Sequence, residues 1–222
     1  QQMAREALPF PAGHVLIYPT VYPDNVILNM TNCINVDGTN ADDLTKAHIQ
    51  CRKQMDVIVD FLRSQVPGFE NDYLLKTSSL IGVRETRHFK GVETITEQDI
   101  LNARVFENWA VTKAHFNFDV HNMSGNGLDQ TGCQEDFSQK KGYTIPYGCF
   151  VPIKIDSLLL AGRNISGTHL AHSNYRVMPI CVNMGQAVGV AAAMCVKSHI
   201  LPRDLKVTEL QTKLIQLGVS PN

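Results

Sequence analysis

The sequence predicts an α/β chain, and three observations carry that expectation. One long stretch repeats apolar residues at steps of three and four. Several short runs rich in Val, Ile and Tyr are bounded by turn residues. A continuous apolar run, SLLLAG, ends in glycine and leads through a polar loop into a helix of small residues. At 222 residues the chain is long enough to bury a core in one large domain or two small ones. Its 20 Lys and Arg stand against 21 Asp and Glu and form no runs, so its charge does not recommend a nucleic acid as partner. Apolar stretches such as VGVAAAMCV fall short of the roughly 20 residues that a bilayer crossing needs, and no membrane span is expected.

Taken in order, GHVLIYPTVYPDNVILNM reads as two strand-like runs around the turn residues Pro23, Asp24 and Asn25, hence an antiparallel hairpin. The clearest helix covers about 41–66: Leu44, Ala47, Cys51, Met55, Ile58 and Leu62 share a face, Asn40 and Asp43 lie at its start, and Pro67-Gly68 follow its end. YLLKTSSLIGVRETRHF reads as extended, one member of a strand pair. Thr96 and Asp99 then form a capping-box variant at the head of a short helix. From about Asn117 to Gly142 the chain is rich in Gly, Asn, Asp and Ser without a period, a long loop. YTIPYGCFVP reads as extended, and SLLLAG as a strand buried on both faces of a parallel sheet. The last helix has Thr208 and Gln211 as a capping box, Leu210, Leu214 and Leu217 on one face, and Gly218 as its stop.

The six cysteines show no CxxC pair and no metal-knuckle spacing; they read as buried or half-buried thiols, with a disulfide or two as the lesser alternative. His169 and His172 lack a third ligand at a sensible spacing, so no metal is expected.

The sharpest signal is the stretch AGRNISGTHLAHSNYRVMPICVNMGQAVGVAAAM. A strand, a glycine turn, a polar loop and a helix make up the usual frame of an α/β ligand site. Gly185 and Gly189 lie one turn apart on a face continued by Ala192 and Ala193, so something must approach that helix closely. A packed helix or sheet and a flat cofactor both satisfy the pattern, and periodicity does not choose between them.

That stretch, with IGVRETRHFKGVETITEQDI and YTIPYGCFVP, resembles the C-terminal half of a family of FAD-dependent oxidoreductases with the glutathione-reductase-like FAD fold, related to succinate dehydrogenase and fumarate reductase flavoproteins. The resemblance spans roughly residues 75–220 and covers the first seventy only loosely. It implies a substrate (cap) domain of α+β type with a mixed sheet over 1–145, and over 146–222 the C-terminal strand and helices of a Rossmann-like FAD-binding domain. The N-terminal GxGxxG turn of that fold is absent from the sequence. The expected partners are therefore a missing N-terminal FAD-binding segment of the same protein and a small-molecule substrate, and the chain alone is expected to be inactive. FAD is the implied cofactor. Gly162 and Arg163 are implied at the ribityl and phosphate region, with Met184, Gly185, Gln186 and Gly189 as a helix start facing the flavin ring. The implied reaction is hydride transfer between flavin and a small organic substrate. Its candidate residues are His169, Arg176, Arg87 and His88, drawn from a polar set that also holds Arg84, His115, His121, Tyr147 and His172. Arginine suits a carboxylate or oxyanion, and histidine exchanges a proton near neutral pH. The rival expectation is a non-enzymatic binding or assembly domain derived from a flavoprotein half.

Overall fold

The computed structural model describes residues 2–120, 139 and 141–221. Among these the chain forms helices and two small antiparallel sheets, each of two strands. It divides into two compact units. Among the described residues the first covers 2–86, and the second takes in 87–120 and those from Gln139 onward.

In the first unit, α1 (Gln2–Ala7) is followed by β1 (Ile17–Pro19) and β2 (Val26–Leu28). The two strands pair antiparallel, Ile17 opposite Leu28 and Pro19 opposite Val26, as the turn chemistry of Pro23-Asp24-Asn25 predicts. The long helix α2 (Ala41–Gln65) starts where expected because the Asn40 side chain accepts from the Asp42 and Asp43 amides, at 2.9 and 3.3 Å. Its Ile58, Phe61 and Leu62 form a small core with Ala4, Leu8, Ala12 and Met30. Residues 73–89 form no ladder. The expected strand pair is thereby corrected: Tyr73, Leu75 and Leu80 are exposed, and without a buried face an extended segment has nothing to hold it in a sheet.

In the second unit, α3 (Glu97–Leu101) carries the predicted capping box: Thr96 Oγ1 accepts from the Asp99 amide, and Asp99 Oδ2 accepts from the Thr96 amide at 2.9 Å. β3 (Trp109–Ala114) pairs antiparallel with β4 (Tyr143–Pro146), both strands largely buried. β4 is shorter than expected. At Tyr147–Phe150 the chain tightens into a 3₁₀ turn, because the Gly148 amide donates to the Glu93 carboxylate (3.1 Å) instead of to a strand.

SLLLAG is a second correction, since Leu158 to Gly162 form no strand and are half-exposed or exposed. A parallel strand needs neighbours, and among the described residues none runs beside this one; only the Leu160 amide is tied down, to the Phe150 carbonyl at 3.0 Å. Neither sheet is parallel or mixed. The expected loop 117–142 lies mostly outside the described residues.

The unit closes with α4 (His169–Tyr175), α5 (Met178–Ser198) and α6 (Val207–Gln216). In α5, Ile180, Met184, Ala187, Ala191 and Cys195 are buried at steps of four and three, and they join Ile145, Phe150, Ile165, Leu210 and Leu214 in one core. By length and composition alone α5 is apolar enough to cross a membrane; its buried stripe is what a core helix shows. The capping box expected at α6 does not form. Thr208 lies inside the helix, and Gln211 instead donates to the Glu107 and Trp109 carbonyls (2.8 and 3.0 Å), tying α6 to β3. Gly218, at φ 92°, ends it as predicted.

Candidate functional site

Three separate stretches of sequence meet in the second unit. Residues 89–96 run beside 164–168: the Phe89 amide donates to the Asn164 carbonyl (3.3 Å), Ile95 to Ser166 (3.1 Å) and Thr168 back to Ile95 (3.0 Å). On its other side the same segment meets 148–153, where Val92 donates to Val151 (2.9 Å) and Glu93 to Gly148 (3.2 Å). The frame is dense. An added Cβ at Gly167 would come within 2.6 Å of the Tyr175 ring, and one at Gly148 would collide with the Glu93 carboxylate.

This frame presents a cluster of His88, His172 and Tyr175. His88 Nδ1 lies 3.1 Å from the Ile165 carbonyl and 3.2 Å from Tyr175 Oη. A carbonyl oxygen only accepts, so a lone pair on Nδ1 facing it at that distance would be repulsive. The Nδ1–H tautomer, donating to Ile165, is the one this geometry favours. His172 is buried and stands edge-on to both rings, with centroids 5.0 Å from His88 and 5.6 Å from Tyr175. His169, three residues earlier, is exposed at the first position of α4, whose N-cap Thr168 accepts from the Ala171 amide (3.3 Å) while donating to Glu97 (2.7 Å).

Arg176 is the C-cap of α4. Its Nη2 donates to Asp119 twice, to the carboxylate at 2.7 Å and to the carbonyl at 2.9 Å, with the side chain 13% exposed. Arg87 is exposed at the head of the unit. Tyr147 donates to the Pro202 carbonyl (3.0 Å), and burial raises its phenol far above the usual range. His115 is exposed just past β3, Arg84 belongs to the first unit, and His121 lies outside the described residues.

Among the residues implied for the cofactor, Gly162 turns the chain at φ 95° with nothing within 4 Å of a Cβ added there, and Arg163 beside it is exposed. Arg163 is near enough to Cys181 for its charge to pull down a thiol that burial pushes up. The helix does not start at Met184, as expected, but at Met178, with Val177 as N-cap and Pro179 in its first turn. Gly185 and Gly189 are thus interior to α5, and their amides belong to its ladder instead of forming an N-terminal anion site. Met184 is fully buried in the core, whereas Gly185, Gln186 and Gly189 are exposed, and a Cβ at either glycine would meet nothing within 4 Å.

The exposed side of α5 is the most telling feature. Met178, Val182, Gly185, Gly189, Ala192 and Val196 recur at steps of four and three, opposite the buried stripe; Met178, Val182 and Val196 are 82, 68 and 74% exposed. A helix apolar on both sides is built to be covered on both sides. Sequence reasoning found the glycines but missed the three large apolar residues flanking them, although their spacing was legible. It also missed Tyr175 and Asp119, whose roles depend on contacts with residues 87 and 57 positions away along the chain.

The model of the family described as FAD dependent oxidoreductase matches residues 3–214, and the chain belongs to that family. The match takes in the first seventy residues, which the resemblance covered only loosely. FAD is accordingly the cofactor. Among curated proteins and solved structures, none matches the chain.

Proposed function

We propose that this chain forms one wall of the flavin site in an oxidoreductase that moves a hydride between FAD and a small organic substrate. The observation that carries the reading is the wet apolar stripe of α5, with open space above Gly185 and Gly189. A flat ring system fits against backbone there as it does not against branched side chains, and the large apolar residues at either end suit a surrounding protein segment. Gly162, Arg163, Gly185, Gln186 and Gly189 are the residues that would hold the cofactor, with Met184 anchoring the helix from the core side. The pyrophosphate turn GxGxxG is not among these 222 residues, so a further FAD-binding segment of the same protein is part of the proposal.

FAD, when bound, supplies the hydride acceptor or donor. This chain's residues supply proton handling and charge. His88, with its Nδ1–H tautomer favoured by Ile165, takes or returns a proton at Nε2, and exposed His169 does so on the α4 side. Arg87, exposed at the head of the unit, is the guanidinium proposed for a substrate anion. Arg176 acts through position, since Asp119 holds its guanidinium and the pair fixes the corner between α4 and α5. A non-enzymatic binding or assembly domain is the second reading, favoured by the missing glycine turn.

The test is the visible spectrum of the longest natural form, purified without added cofactor. Bands at about 370 and 450 nm, where oxidised flavins absorb, are the expected result. A folded, colourless protein that added FAD does not change would overturn the enzyme reading and leave the binding domain. With flavin established, His169→Ala and His88→Ala are expected to lower turnover at least tenfold while FAD content stays level.

A further inference from the structure

The first unit holds a pair of cysteines that the flavin reading does not use. Cys33 lies in the segment after β2, half-buried, and Cys51 lies on the buried face of α2. Their sulfurs are 3.4 Å apart, and Cys33 Sγ also reaches the Ala47 carbonyl, one turn earlier on the helix, at 3.5 Å. The proximity is built in by the neighbouring residue. Gln54, buried on α2, donates through Nε2 to the Asn32 carbonyl (2.9 Å) and accepts at Oε1 from the Asn32 amide (3.0 Å). Ala47, Cys51 and Gln54 lie at steps of four and three on one helical face, so this two-pronged amide clamp lays residue 32 against α2 and delivers Cys33 to Cys51.

We propose that Cys33 and Cys51 form a thiol–disulfide modification site that a low-molecular-weight disulfide, such as oxidised glutathione, closes. In the first step Cys33, the more accessible thiol, loses its proton to solvent and its thiolate attacks one glutathione sulfur. The glutathione S–S bond breaks, a mixed disulfide forms on Cys33, and one glutathione thiolate leaves. In the second step the deprotonated Cys51 attacks the Cys33 sulfur, the mixed disulfide breaks, and the second glutathione thiolate leaves. The two cysteines lose two electrons and two protons, and one glutathione disulfide becomes two thiols. The sulfurs must close from 3.4 Å to a bond of about 2.05 Å, a movement that residues 31–34, outside any helix or strand, absorb. Burial, with the neighbouring Cys51 adding to it, pushes the Cys33 thiol up, so closure speeds up as pH rises and the thiolate fraction grows.

The inference is tested on the native, folded chain. It is incubated with oxidised glutathione in mildly alkaline buffer, remaining thiols are alkylated under denaturing conditions, and trypsin is added. Cleavage after Lys46 and Arg52 puts the two cysteines on separate peptides. The expected product is those two peptides joined at their summed mass less two hydrogens, abolished by dithiothreitol and formed faster at higher pH. In Cys51→Ala, Cys33 is expected to stop at the glutathione adduct. Recovery of both wild-type cysteines alkylated, or of Cys33 joined to a different cysteine, overturns the proposal. The readout involves no flavin, so it stands or falls apart from the proposed function.

Discussion

At Gly167 the Tyr175 ring stands 2.6 Å from where a Cβ would be, and that ring is itself fully buried. Gly167→Ala must push the ring out of a filled core, which costs about 1–3 kcal/mol, whereas Gly185→Ala meets nothing and favours the helix by roughly 1 kcal/mol. Urea unfolding of the two variants is expected to move in opposite directions; equal midpoints would show that the 164–168 frame yields. In holoprotein the ranking on flavin content reverses, with Gly185→Ala the variant expected to lose FAD. A second residue-scale expectation concerns Arg176 and Asp119. Truncating Arg176 to Ala strands a partly buried carboxylate at a cost of about 3 kcal/mol, and Asp119→Asn in the same background recovers part of that loss. A double-mutant cycle in urea measures the coupling. The resemblance implied Arg176 as a candidate beside the flavin, and its twofold contact with Asp119 was not legible, because a partner 57 residues away leaves no local mark.

Elements with their own punctuation were legible. α2 carries its N-cap and stripe, the β1–β2 hairpin its turn, and α3 its capping box, all within a few residues of sequence. Elements that depend on distant neighbours were not: SLLLAG has the composition of a buried parallel strand but no adjacent strand among the described residues, and Gln211 leaves the box expected of it for two carbonyls near the start of β3. The α3 box also gives a pH expectation. Burial pushes the Asp99 carboxyl up, but hydrogen bonds from Arg104 (2.8 Å) and Thr96, with the Arg104 charge, more than offset this and hold it below the usual carboxylate value. A group depressed in the folded state adds stability above its unfolded pKa of about 3.9 and loses it as pH falls through the folded value. Wild type is therefore expected to lose stability below about pH 4 more steeply than Asp99→Asn, measured as urea midpoints at neutral and acid pH. Parallel curves would remove Asp99 from the acid response.

On the scale of the whole molecule, the two faces of α5 pull the reading together. One face closes the core of the second unit; the other presents Met178, Val182 and Val196 around Gly185 and Gly189 to water. Apolar surface left wet forgoes about 25 cal/mol for every Å² that burial would remove from water, and contiguous exposed patches of this kind mark interaction sites. In the proposed site the glycines would let the covering group come closest, and the valines and methionine would meet its apolar part. A dye that fluoresces on apolar surface is therefore expected to bind this chain, and Val182→Ser with Val196→Ser to lower that signal at least twofold with the helical circular dichroism unchanged. In the FAD-loaded, longest natural form the same dye signal is expected to be weak before any substitution, because flavin and the further FAD-binding segment would occupy the stripe. A strong signal in the loaded protein would mean that FAD binds elsewhere, and that the second face of α5 is kept for some other partner.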